Sequence, residues 1–211
     1  MIETNSLQFN FSARYYKIGN ATTAKKIWFV LHGYGQLAQF FIKKFNVLKE
    51  KDVCVIAPEG LSKFYTHRNP DRIGATWMTR ENRLMDIDNY ITYLDSIYHH
   101  EIKVAKEKEV TLLGFSQGAA TASRWAQQGN ISYGRLILWA GIFPPDMHFD
   151  QRKDVLKNKK IIQVYGKTDP FLNDSIIVEM KDIQTKLNVT PETLVFDGGH
   201  EIDEETLSKL F

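Results

Sequence analysis

The sequence predicts an α/β fold, a three-layer sandwich with helices on both faces of a mostly parallel sheet. Three observations predict it. Runs such as "KIWFVLH" (26–32) and "VCVIAP" (53–58) are apolar almost throughout, as strands buried on both faces must be. Between such runs lie stretches with apolar residues at three- and four-residue steps, the period of a helix that covers a sheet. The connections are short, and strand-helix alternation with short connections builds a parallel sheet.

The elements follow in order. "LQFNFSARYYKIG" (7–19) alternates polar and apolar residues and reads as one or two strands at a sheet edge. After strand 26–32, "QFFIKKFNVLK" (39–49) sets Phe41, Phe45 and Leu48 on one helical face. Strand 53–58 leads into segment 59–81, whose Phe64, Tyr65, Trp77 and Met78 suit either a pocket wall or a small satellite core. The longest helix is expected over 82–108, where Leu84, Ile87, Ile91, Leu94 and Tyr98 form one stripe. "VTLLGF" (110–115) is a strand, and "AATASRWAQQ" (119–128) a small-residue helix closed by Gly129. Strands 136–141, 161–166 and 193–199 follow, with helix 175–187 between the last two and a short helix in "DEETLSKLF".

The bulk properties narrow the function classes. A chain of 211 residues, 43% hydrophobic and 25% charged, suits one domain over 1–211. The net charge is +2, and basic and acidic residues interleave, as in the solvated run "KVAKEKE" (103–109). This excludes an electrostatic case for nucleic acid or an anionic membrane. No apolar run reaches the ~20 residues of a membrane span, so no stable membrane anchor is expected. The N-terminus shows no secretory pattern. Cys54 is the lone cysteine and sits in an apolar run, which predicts a buried structural thiol and a reducing, cytoplasmic setting.

The chemistry begins at Gly114-Phe115-Ser116-Gln117-Gly118, a Gly-x-Ser-x-Gly pattern between a strand and a helix. Such a match arises by chance in about one 200-residue chain in fifteen, given ordinary Gly and Ser usage, so partners must decide. This context presents a nucleophilic serine on a strained turn, with glycines where strand and helix pack too closely for side chains. Serine needs a base. Of six histidines, His99 and His100 lie near the end of a long polar helix, and His67 and His148 lie in loops that no strand fixes. His32 belongs to the turn "HGYG" and reads as a brace for it. His200 follows the last strand through Gly198-Gly199 and is the candidate base. The orienting carboxylate is Asp169, in "YGKTDPF" (165–171), with Asp146, in "FPPDM", as the rival. Asp197 lies too near His200 in the chain. The order Ser116, Asp169, His200 matches the one associated with this serine turn. For the oxyanion, the main-chain N–H groups of Gln117 and of Tyr34, in the loop after an early strand, are the natural donors.

Four blocks, "LHGYGQ", "GFSQGAA", "GKTDP" and "GGH", together resemble the signatures of the phospholipase/carboxylesterase family, compact α/β-hydrolases without a cap domain. They span residues 31–200. The resemblance implies Ser116 as nucleophile, Asp169 as acid, His200 as base, Tyr34 and Gln117 as oxyanion donors, and no cofactor. Two departures bear on substrate. Tyr34-Gly35-Gln36 stands where relatives often carry leucine then Gly-Asp, and a phenol there would narrow the acyl side of the pocket. Segment 59–81 replaces the usual loop, so Trp77 and Met78, with Phe143 after strand 136–141, are candidate pocket residues. The expected activity is hydrolysis of a small-molecule carboxylic ester, with a thioester or lysophospholipid as the neighbouring substrates. A non-catalytic binding protein of the same fold is the alternative from another class. A homodimer is compatible with the sequence, which leaves the oligomeric state open.

Overall fold

Strands form where apolar, β-branched and aromatic residues run together. In the computed structural model, which describes residues 1–49, 52–66, 69–102, 108–150, 152 and 154–210, seven such runs make one sheet. They are β1 (Tyr15–Ile18), β2 (Lys26–Leu31), β3 (Val53–Pro58), β6 (Glu109–Phe115), β7 (Arg135–Trp139), β8 (Lys160–Gly166) and β9 (Glu192–Phe196). The order across the sheet is β1-β3-β2-β6-β7-β8-β9. Strand β1 pairs with β3 antiparallel, and the other five pairings are parallel.

The continuous apolar strands have a simple explanation. Alternate side chains point to opposite faces, and both faces are covered. Ile27, Phe29 and Leu31 of β2 pack with helices α2 (Arg83–Glu101), α3 (Gln117–Gln128) and α5 (Asp174–Leu187). Trp28 and Val30 of the same strand pack with α1 (Ala38–Phe41), its 3-10 continuation Ile42–Leu48, and the end of the chain beside α6 (Glu204–Ser208). A short helix, α4 (Asp154–Lys157), precedes β8. These layers and this sheet are an α/β-hydrolase fold.

The structure departs from the sequence reading at four places. Only Tyr15–Ile18 of segment 7–19 is a strand, because its partner β3 ends at Pro58, opposite Tyr15. Leu7, Phe9 and Phe11 have no ladder to join and lie exposed. Segment 39–49 is a single α-turn followed by a 3-10 stretch rather than one α-helix. The long helix ends at Glu101, and Ile102 is extended; the remainder of its expected span, 103–107, lies outside the described residues, as does His67. Segment 59–81 contains a hairpin of β4 (Ser62–Thr66) and β5 (Asn69–Thr76). Pro70 and Gly74 within β5 masked that strand.

Candidate active site

Strand β6 lies in mid-sheet and feeds α3 through a single residue, Ser116, with φ 55° and ψ −119°. A left-handed serine costs about 1–3 kcal/mol, held in place by its surroundings. The neighbouring glycines are obligatory. A Cβ at Gly114 would lie 2.1 Å from the Gly118 carbonyl oxygen, and one at Gly118 would lie 2.2 Å from the Leu31 oxygen. The Ser116 N–H donates to the Trp139 carbonyl at 2.8 Å, which anchors the turn to β7.

The loops after β8 and β9 are stitched together. Thr168 donates to the Gly198 carbonyl from its backbone N–H (3.0 Å) and its hydroxyl (2.9 Å), and Lys167 N–H reaches the Phe196 oxygen at 2.9 Å. This brings Asp169 and His200 together, with Nδ1 2.8 Å from Oδ2. The other carboxylate oxygen accepts the Phe171 N–H at 2.9 Å. A carboxylate only accepts, so Nδ1 carries a proton, and in the neutral ring Nε2 presents its lone pair. Asp169 is buried. The imidazole lies between the rings of Phe115 (4.9 Å between centroids) and Phe171 (4.7 Å), and Phe115 is the residue before Ser116. Among the described residues, no side chain or backbone group shares a hydrogen bond with His200 Nε2 or Ser116 Oγ.

The remaining histidines are committed elsewhere or exposed. His32 is fully buried. Its Nδ1 lies 2.8 Å from the Gly33 oxygen, its Nε2 accepts the Gly60 N–H at 3.0 Å, and its ring rests on Trp77 at 5.0 Å. Burial pushes its pKa down to about 4, against weaker opposing effects of the Gly33 hydrogen bond and the Glu59 charge. It is a neutral brace. The His148 backbone is held by the Gln127 side chain in two bonds, and His99 and His100 are exposed on α2. The rival carboxylate, Asp146, is gripped by Arg124 at 2.6 and 3.2 Å and by Arg83. Burial opposes its ionisation, but the Arg124 hydrogen bond and the two guanidinium charges outweigh that and hold its pKa below the usual carboxylate range. Asp197 is exposed and pairs with Lys167.

The loop after β2 runs beside the serine turn, where a Cβ at Gly33 would lie 3.2 Å from that of Ser116. Its amides are nearly all taken. Gly33 N–H donates to the Gln36 side chain (2.9 Å), Gly35 N–H to the Ala75 oxygen (2.9 Å) and Gln36 N–H to the Gly33 oxygen (3.2 Å). The Tyr34 N–H makes no such bond among the described residues. Gln117 opens α3, so its N–H has no acceptor within the helix. The Tyr34 ring stacks on Phe64 of the hairpin at 5.0 Å and is more than half exposed.

The pocket expectation needs correction. Trp77 and Phe143 belong to the core, with 2% and 0% of their surface exposed, and Met78 packs against the same cluster. Trp77 is drawn inward by its Nε1 bond to the His32 carbonyl at 2.8 Å. An open groove lies elsewhere. It measures about 670 Å³ and is lined by Gly35–Leu37, Phe40, Phe41 and Lys44 on one side and by Asp71–Ile73 on the other. Sequence reasoning missed Phe115 and Phe171 as walls around His200. It also missed the Gln117 side chain, which bonds residues Thr76–Met78. Their adjacency to motif residues was the available signal. No set of three His, Cys, Asp or Glu among the described residues is grouped to hold a metal ion, and no described helix is long and apolar enough to cross a membrane.

A family model described as phospholipase/carboxylesterase matches residues 18–211, and the chain belongs to that family. No curated protein matches it in sequence. Among solved structures it is similar to Zea mays acyl-protein thioesterase 2, at 15% identity and TM-score 0.72, covering 94% of this chain and 96% of that one. It is also similar to the Bacillus cereus carboxylesterase, at 16% identity and TM-score 0.69, covering 96% of each chain. A phospholipase/carboxylesterase from Dyadobacter fermentans DSM 18053 gives 19% identity and TM-score 0.65, again over 96% of each. At these identities the likeness shows the fold.

Proposed function

We propose that this member of the phospholipase/carboxylesterase family is a serine carboxylesterase. The observation that carries the reading is the 2.8 Å bond from His200 to Asp169, in an imidazole that packs on Phe115, the residue before the strained Ser116 turn. His200 Nε2 takes the Ser116 hydroxyl proton as Oγ attacks the ester carbonyl, and Asp169 stabilises the imidazolium. The N–H groups of Tyr34 and Gln117 receive the developing oxyanion. His200 then protonates the departing alcohol, leaving an acyl-enzyme. Water, deprotonated by the same imidazole, attacks the acyl-enzyme and releases the acid and free Ser116. No cofactor enters these steps.

The Ser116→Ala variant is expected to lose hydrolysis of p-nitrophenyl acetate by about 10⁴-fold or more; equal rates for variant and parent would overturn the reading. A thioesterase reading draws on the 0.72 TM-score to the Zea mays acyl-protein thioesterase. A paired series of esters and thioesters of rising acyl length separates the two by kcat/KM. The lone Cys54, buried in β3 with its thiol pushed up to about 11 mainly by burial, suits a reducing compartment such as the cytoplasm.

A further inference from the structure

The two oxyanion donors of the proposed mechanism sit on separate elements, the loop after β2 and the start of α3. Their spacing must hold to a fraction of an ångström, because both must lie about 3 Å from one oxygen. One side chain makes a hydrogen-bonded link between them. Gln117 Oε1 accepts the Trp77 N–H at 3.2 Å, and Nε2 donates to the Met78 carbonyl at 3.0 Å and to Thr76 Oγ1 at 2.9 Å. These partners dictate the orientation of the carboxamide, since only oxygen can receive the Trp77 N–H and only nitrogen can supply the Met78 carbonyl. The single Thr76 hydroxyl proton goes to the Met78 oxygen at 2.9 Å or to Gln117 Oε1 at 3.1 Å.

The gripped Trp77 and Ala75, the residue before the gripped segment, hold the Tyr34 loop on both flanks. Ala75 accepts the Gly35 N–H at 2.9 Å and donates to the Gln36 carbonyl at 3.2 Å, just after Tyr34. Trp77 Nε1 donates to the His32 carbonyl at 2.8 Å, just before it. A continuous series of hydrogen bonds therefore joins the helix that carries one donor to the loop that carries the other.

We propose that the Gln117 side chain is a positioning residue that sets the distance between the Gln117 and Tyr34 amides by gripping Thr76–Met78. The proposal rests on the esterase reading above. It explains why glutamine, rather than any residue with a backbone N–H, follows Ser116. Glutamate would keep the shape but set a carboxylate oxygen against the Met78 carbonyl, and methionine would keep the length without any of the bonds.

The test uses Gln117→Met and Gln117→Glu in the full chain, with folding checked by circular dichroism. On p-nitrophenyl acetate, kcat is expected to fall about 10- to 100-fold, the cost of a misplacement near 1 Å, with KM within about twofold of the parent. Affinity for a trifluoromethyl ketone, whose adduct carries the oxyanion, should fall by the same factor as kcat. Amide hydrogen exchange at Gly35 and Ala75 should quicken about tenfold or more, with the β7–β8 ladder at Leu138 and Val164 unchanged. Unchanged kcat in a folded variant overturns the proposal, whatever the exchange. Equal loss of protection in the β7–β8 ladder also overturns it, marking general loosening. Failure of the esterase reading is distinguished by the parent and Ser116→Ala hydrolysing the ester equally; the exchange at Gly35 and Ala75 then decides whether the tie exists.

Discussion

Asp146 and Asp169 both follow strands at the carboxyl end of one sheet, in the loops after β7 and β8, and their surroundings differ sharply. Asp146 faces two guanidinium groups, one of them on the buried Arg124. Asp169 faces one imidazole and one backbone N–H, and the imidazole keeps a nitrogen unbonded among the described residues. The histidines divide the same way. His32 has both ring nitrogens engaged and Trp77 against its face, whereas His200 is held on one side only. Saturated groups brace the molecule. A group anchored at one atom and open at the next has an atom left for chemistry.

That contrast breaks or stands on four measurements. Asp169→Asn should lower kcat/KM by about 10⁴-fold, because the wrong tautomer of His200 would be held, while Tm barely moves; a wild-type rate would break the contrast. His32 gives the next effect. Its folded pKa of about 4 lies below the ordinary 6.5, so the unfolded chain binds the proton first. The stability that His32 supports is present above pH 6.5 and lost as pH falls towards 4, by about 3 kcal/mol. Urea melts across that range should show a slope that His32→Asn lacks. Asp146→Asn should cost about 2–3 kcal/mol by leaving Arg124 unneutralised, a figure below that for a fully dry pair because Asp146 keeps some exposure, and kcat should stay within about twofold. Arg83→Ala, at the exposed end of the same cluster, should cost at most about 1 kcal/mol. A larger loss than for Asp146→Asn would place the weight of the cluster on Arg83 instead.

Most of the sheet was readable because a strand buried on both faces has no polar positions to spare, as in "KIWFVLH" and "VCVIAP". Hairpin β4–β5 was not readable. One strand has only five residues, the other contains proline and glycine, and its registration comes partly from the bridge of Ala75 to Gln36, a contact no local pattern announces. The core placement of Trp77 was hidden for the same reason. An aromatic in a connecting segment looks like a pocket wall until its Nε1 is seen to donate to the His32 carbonyl.

By itself the sequence determined the α/β layering and the order of Ser116, Asp169 and His200, each just after a strand, since hydrophobic period and glycine placement are local properties. Only the tertiary structure decided which carboxylate meets His200, which histidine is neutral and buried, and that the side chain of Gln117 reaches Thr76–Met78. Each of these depends on residues tens of positions apart, and their distances arise only when the strands are laid side by side.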